Sequence, residues 1–170
     1  MKKEEIIKEA LSLILLFACV IFIKRFIFTP IRVNGNSMYP TLHHRDMMIL
    51  NEIGYHLSGV SRFDIVVVNF NGEKIIKRVI GLPGETISYK DNKLFINGEE
   101  VKEEFSHDIT HNFTLEEIDI EVIPDGYYFV VGDNRGDSID SRIIGLVSEK
   151  QILGKTNFII YPFNRFGSLN

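Results

Sequence analysis

The chain has 170 residues, 45% hydrophobic and 25% charged, with a formal net charge of −4. That is room for one ordinary domain with a real core plus a small extra element, and disorder is not expected. No basic run exceeds Lys24-Arg25, which argues against nucleic-acid binding, and the single cysteine, Cys19, excludes an intrachain disulfide framework or a zinc site, so no cofactor or metal is expected.

Charge is unevenly placed. Residues 1–30 carry five basic and three acidic groups, the remainder fourteen and twenty. A short charged start, Lys2 to Glu9, precedes an uncharged run from Ala10 to Ile23, 14 residues long. That alone is shorter than the ~20 residues of a spanning helix. Adding Ile6-Ile7 and Phe26-Ile27-Phe28 makes up the length, with Lys24-Arg25 near the end where long basic side chains can snorkel. No pair of small residues follows the apolar run, as a cleaved leader requires. The expectation is a retained single-pass transmembrane anchor over most of residues 6–28, with residues 1–30 as tail and anchor and 31–170 as the body.

The body reads as strands. Ile31-Arg32-Val33 is extended and leads to a bend at Gly35. Ser37, in Asn36-Ser37-Met38-Tyr39-Pro40-Thr41-Leu42, lies on this irregular backbone, a setting that can present a hydroxyl outward. Asp46 to Leu50 is a short apolar run. Ile65 to Phe70, then Asn71-Gly72, then Lys74 to Ile80 is the clearest hairpin, since Asn-Gly between β-branched runs is a strong turn signal. A smaller hairpin follows at Ile87–Tyr89 and Leu94–Ile96. Lys102 to Glu121 is acidic and reads as a solvated excursion, so that residues 91–123 form a small extension. Tyr127 to Val131 is a strand, and Ile143–Val147 and Phe158–Tyr161 are further apolar pieces. No long amphipathic helix is visible beyond the anchor. The fold class is mostly β, an antiparallel β body behind one N-terminal helix.

Three stretches could carry chemistry together. Ser37 is a hydroxyl that needs a base. Lys77 lies mid-strand between Ile75 and Val79 on one sheet face; burial there would lower its pKa and make it a general base. Arg78 points to the opposite face. The third stretch, Gly132 to Arg142, packs Asp133, Asp137, Asp140, Ser138, Ser141, Arg135 and Arg142 into one loop. By itself it could be a locally hydrogen-bonded surface loop. It lacks the closing Glu of a calcium loop.

In order, these stretches resemble the bacterial type I signal peptidases, in their short Gram-positive-like form. Residues 35–42 are similar to that family's nucleophile box, 77–85 to its lysine box and 132–142 to its final box. The resemblance implies a Ser-Lys dyad serine protease, with Ser37 as nucleophile and Lys77 as general base. Ser138 would orient the lysine amine, Asp140 and Arg142 would brace the loop, and Asp133 with Arg78 would tie it to the lysine strand. Val33, Met38, Leu42 and Ile76 are the apolar candidates for substrate binding. The implied substrates are secretory preproteins with their signal peptides, the implied location the plasma membrane in contact with lipid, with the body on the extracytoplasmic side. Gly35 stands where some members carry an oxyanion-hole serine, so the hole would rest on the Ser37 backbone N–H and a further donor. Asp137 and Ile143-Ile144 depart from the usual residues.

Two other readings remain. A Ser-Lys self-cleaving repressor would need a DNA-binding module or an internal Ala-Gly site, and neither is visible. An anchored binding domain would leave Ser37 and Lys77 dispensable. The five histidines, His43, His44, His56, His107 and His111, read as solvated surface groups.

Overall fold

A computed structural model describes residues 2–26 and 29–169. One long helix, α1 (Lys2–Phe26), precedes a body of thirteen short strands. Every strand pairing in the body is antiparallel, the mostly β architecture that the turn-rich sequence implies.

The strands form three sheets. The first has the order β1 (Thr29–Arg32), β2 (Met47–Leu50), β12 (Phe158–Tyr161), β13 (Gly167–Ser168). The second has the order β10 (Val147–Ser148), β9 (Tyr127–Val131), β4 (Glu73–Gly81), β3 (Ile65–Phe70), β11 (Ile152–Lys155). The third has the order β7 (Glu99–Val101), β6 (Lys93–Ile96), β5 (Ile87–Lys90), β8 (Phe113–Thr114). The hairpin legible at 65–80 is central: β4 is the middle strand of the largest sheet. Its turn has positive φ at both Asn71 (52°) and Gly72 (87°), the conformation that matches strand twist and favours Asn-Gly.

Alternation along β3 and β4 divides the core. Ile65, Val67 and Ile76 pack with Ile31, Val33, Met38 and Leu42 against the first sheet. Val66, Val68 and Val79 pack on the other side with Tyr55 and Ile152. A third cluster, around Tyr89, Phe113 and Phe129, joins the third sheet to the end of β4.

One expectation about the body needs correction. Residues 102–121 are not a solvated excursion: Phe113, Leu115 and Thr110 are buried, and the segment packs on the central sheet. A short helix, α2 (Glu52–Ser58), capped by the Asn51 side chain on Gly54 N–H, was not legible. At 7 residues it is too short for a periodic pattern to announce it. A third helix, α3 (Ser141–Ile144), is a single turn capped by Asp140.

The N-terminal segment is helical as expected, but among the described residues no helix is long and apolar enough to cross a membrane. Lys8 and Glu9 cut the uncharged stretch short at one end, and Ile27 and Phe28 lie outside the described residues. The described side chains of the helix, residues 5–21, are all exposed, and the consecutive residues Leu13 to Phe17 are each at least 60% exposed.

Candidate active site

Ser37 sits where β1 gives way to a turn. Gly35, at φ 89°, lets the chain reverse direction, and Val33 N–H and Arg45 N–H close the base of the resulting loop onto Asp46 and Val33 carbonyls. Below the serine, Met38 and Leu42 are buried, which anchors the loop while leaving Ser37 half-buried. Lys77 comes from β4, paired in register with Val66. Ser37 and Lys77 line one cleft of about 650 Å³, with Ile31, Arg32, Lys74 and Ile76 among its walls.

Lys77 is 3% exposed, and its amine donates to Ser138 Oγ at 3.0 Å. Among the described residues that is its hydrogen bond; none joins it to Ser37. Burial is the main influence on its protonation and lowers its pKa to about 8, against the opposing pull of Asp140, Asp133 and Asp137. A lysine near 8 is deprotonated often enough at neutral pH to accept a proton, and it becomes a strong donor once charged.

The loop over Lys77 is held by two buried ion pairs. Arg78 grips Asp133 with Nε to Oδ1 at 2.9 Å and Nη2 to Oδ2 at 2.6 Å. Arg142 grips Asp140 with Nε to Oδ1 at 2.9 Å and Nη2 to Oδ2 at 2.8 Å. Burial alone would raise the Asp140 pKa, but Arg142 and the Gly132 N–H outweigh it and hold the carboxyl below its ordinary value. Breaking one such pair leaves an uncompensated buried charge, at a cost of about 3–5 kcal/mol. Arg78 and Lys77 thus act on opposite faces of β4, as strand alternation requires.

The five supporting residues named from sequence, Ser138, Asp140, Arg142, Asp133 and Arg78, converge beside Lys77. Of the apolar candidates, Ile76 lines the cleft, whereas Val33, Met38 and Leu42 pack in the core cluster that also holds Ile76. Four contributors were missed. Asn134 holds the Ser37 turn, its N–H donating to Ser37 O at 3.0 Å and its side chain to Asn36 O at 3.1 Å. The Thr41 hydroxyl donates to Asp133. A Cβ at Gly132 would collide with Ser37 O and the Ser138 side chain, so glycine permits the close approach of these two stretches. Arg135 is buried beneath the loop. Gly132, Asn134 and Arg135 lie in the polar run and Thr41 in the Ser37 stretch, both visible in the sequence, but the partners that matter lie tens of residues away. The histidines are not uniform: His44 Nδ1 accepts from Gly35 N–H at 3.1 Å, and His107 is partly buried beside Glu103.

A family model described as signal peptidase, peptidase S26, matches residues 5–161. The chain is 38% identical to signal peptidase I S of Bacillus subtilis (strain 168), over 99% of this chain and 96% of that protein. It is 36% identical to signal peptidase IB of Staphylococcus aureus (strain COL), over 96% of this chain and 94% of that protein. The crystal structure of a signal peptidase I from Enterococcus faecalis V583 superposes with a TM-score of 0.52 at 39% identity, covering 56% of this chain and 95% of that one.

Proposed function

This chain belongs to the signal peptidase family, peptidase S26, a serine peptidase that removes signal peptides from preproteins, and from that membership we propose that it works through a Ser37–Lys77 dyad at the membrane surface. The observation that carries the proposal is the buried Lys77 amine, held by Ser138 in the cleft that Ser37 also lines.

The cleft lies between two unpaired strand edges. β9 pairs with β4 only at Arg78, Val79 and Gly81, so the 73–77 stretch of β4 is free on that side. β1 is the outer strand of its sheet. An extended peptide can add to these edges through its main chain, with Ile76 and Ile31 offering apolar contact to alternate side chains. This seats a scissile carbonyl beside Ser37. Val33, Met38 and Leu42 back that wall.

Neutral Lys77 takes the Ser37 proton as Oγ attacks the carbonyl carbon. The Ser37 backbone N–H steadies the developing oxyanion. Lys77 then returns the proton to the leaving amine as the peptide bond breaks. A water, deprotonated by Lys77 in turn, attacks the acyl carbon, and Lys77 passes that proton to Ser37 Oγ as the ester bond breaks, which frees the acid and restores both residues. Ser138 fixes the amine's direction. The Asp133–Arg78 and Asp140–Arg142 pairs keep the loop in place.

α1 anchors the enzyme in the lipid of the plasma membrane, with the catalytic body, residues 31–170, on the extracytoplasmic side. Only its uncharged stretch, residues 10–23, is nearly all apolar, a surface at home in a core or in lipid, and within it Leu13 to Phe17 are each at least 60% exposed. Anchoring places enzyme and membrane-bound preprotein in one layer and raises their effective concentration. The decisive experiment incubates the detergent-solubilised protein with a preprotein beside Ser37→Ala. Cleavage after the signal sequence is expected from the parent and none above background from the variant; equal cleavage by both rejects the dyad.

A further inference from the structure

The segment between β7 and β8 leaves the third sheet and docks on the loop that covers Lys77. Glu103, its side chain 4% exposed, accepts from Arg135 Nη2 at 2.6 Å and from Tyr89 OH at 3.1 Å. Arg135 Nη1 donates to Thr110 Oγ1 at 2.6 Å. The Asp108 N–H donates to Asp133 O at 3.0 Å, and the Phe105 ring lies 3.9 Å from the Arg78 guanidinium carbon. Arg135 is the link between this segment and the active site. Its Nε donates to Gly132 O at 3.0 Å, and its own carbonyl accepts from Arg142 Nη2 at 2.9 Å. Ser138, the partner of the Lys77 amine, lies between these fixed points.

We infer that residues 103–110 are a strap that sets the position of the Ser138 loop, with Glu103 as a positioning residue acting through Arg135. Glu103 touches neither the cleft nor Lys77. Without its charge, Arg135 is a buried cation lacking its ion-pair partner, and it will shift toward water or draw water in. Gly132 and Arg142 move with it, since both are bonded to Arg135. Small displacements of a general base are costly in rate, up to ~100-fold for an ångström. Through the Ser138 loop, which covers the Lys77 amine, the strap also governs how dry that amine is. The charged groups around Lys77 are Asp133, Asp137, Asp140 and Arg142; those facing Glu103 are Arg135, Tyr89 and His107. Burial raises the Tyr89 pKa above its ordinary value, so its hydroxyl keeps the proton it donates to Glu103.

This inference rests on Lys77 being the general base, and the test separates the two. Cleavage of a signal-sequence peptide by the full-length protein in detergent is measured from pH 6 to 10, as kcat and KM, for the parent, Glu103→Gln, Glu103→Asp and Thr110→Val. Glu104→Gln, an exposed change on the same segment, is the control. Glu103→Gln is expected to lower kcat ~10-fold or more with little change in KM. The midpoint of its rise with pH should move upward, because a wetter amine returns toward an ordinary lysine pKa. Thr110→Val should show the same changes to a smaller degree, Glu103→Asp should recover part of the loss, and the control should match the parent. Unchanged kcat and midpoint in both Glu103→Gln and Thr110→Val overturn the inference. So does a kcat loss with an unmoved midpoint, which marks lost stability alone. Thr110→Val, which removes one hydroxyl, decides the matter if Glu103→Gln does not fold. A parent enzyme whose cleavage does not rise with pH through about 8, or one insensitive to Ser37→Ala, is instead a failure of the Ser-Lys reading.

Discussion

Charging Lys77 inside the folded protein is unfavourable, because its amine is buried and titrates at about 8 rather than the ordinary 10.5. That difference corresponds to ~3 kcal/mol held against the folded state at neutral pH. Below pH 8 the amine is charged in folded and unfolded chains alike, and the folded state bears the whole cost. Between about 8 and 10.5 only the unfolded chain keeps the proton, so this group's contribution to stability rises with pH across that window. Lys77→Met should therefore melt at a higher temperature than the parent at pH 7, with the advantage shrinking by pH 10; thermal melts at the two pH values read this directly. On the proposed dyad the same variant should show no cleavage above the Ser37→Ala background, activity being traded for stability. For the parent, peptide cleavage should rise with pH through about 8 as the amine becomes neutral. Lys77→Arg keeps the charge but cannot act as a base, and its turnover should fall to the background of Ser37→Ala.

The β3–β4 hairpin delivers Lys77 to the cleft and Arg78 to Asp133, and it can do so in only one register. Strand side chains alternate, so a slip of one residue would exchange the two positions. Asn71 and Gly72 fix the register through a turn with positive φ at both residues. A Cβ at position 72 meets no neighbour, so the cost of replacing Gly72 is purely conformational. Gly72→Ala should lose ~1–2 kcal/mol, seen as a lower urea midpoint with an unchanged slope. The loop from Gly132 to Arg142 is the second decisive element. It has little regular structure, and its shape comes from bonds to β4, to the Ser37 turn and to the 103–110 strap. This is why its residues looked like an ordinary polar surface loop when taken alone.

Among the described residues, the three core clusters are built from the body, and no described side chain of α1 belongs to them. Removal of residues 1–28 should leave the melting temperature within a few degrees of the parent and peptide cleavage intact. It should abolish co-sedimentation with lipid vesicles and the need for detergent. Cosedimentation and melting of the truncated protein check the anchoring proposal together, and vesicle binding undiminished by the truncation would count against it.

The strand pattern, the Asn-Gly hairpin, the apolar start and the three motif stretches were determined by the sequence alone, because alternation, turn chemistry and motif order are local. Ser37 and Lys77 could be named from those stretches. What lay beyond the sequence was everything set by long-range contact. The acidic segment 102–121 looked solvated, yet Glu103 is buried, because Arg135 neutralises it from 32 positions away. The clamp of Asn134 on Asn36 and Ser37 and the need for glycine at 132 depend on two distant stretches meeting. Burial of Lys77, and with it the depressed pKa that fits it to be a base, exists only once the Ser138 loop closes over β4, since desolvation is a property of the packed fold and not of any segment within it.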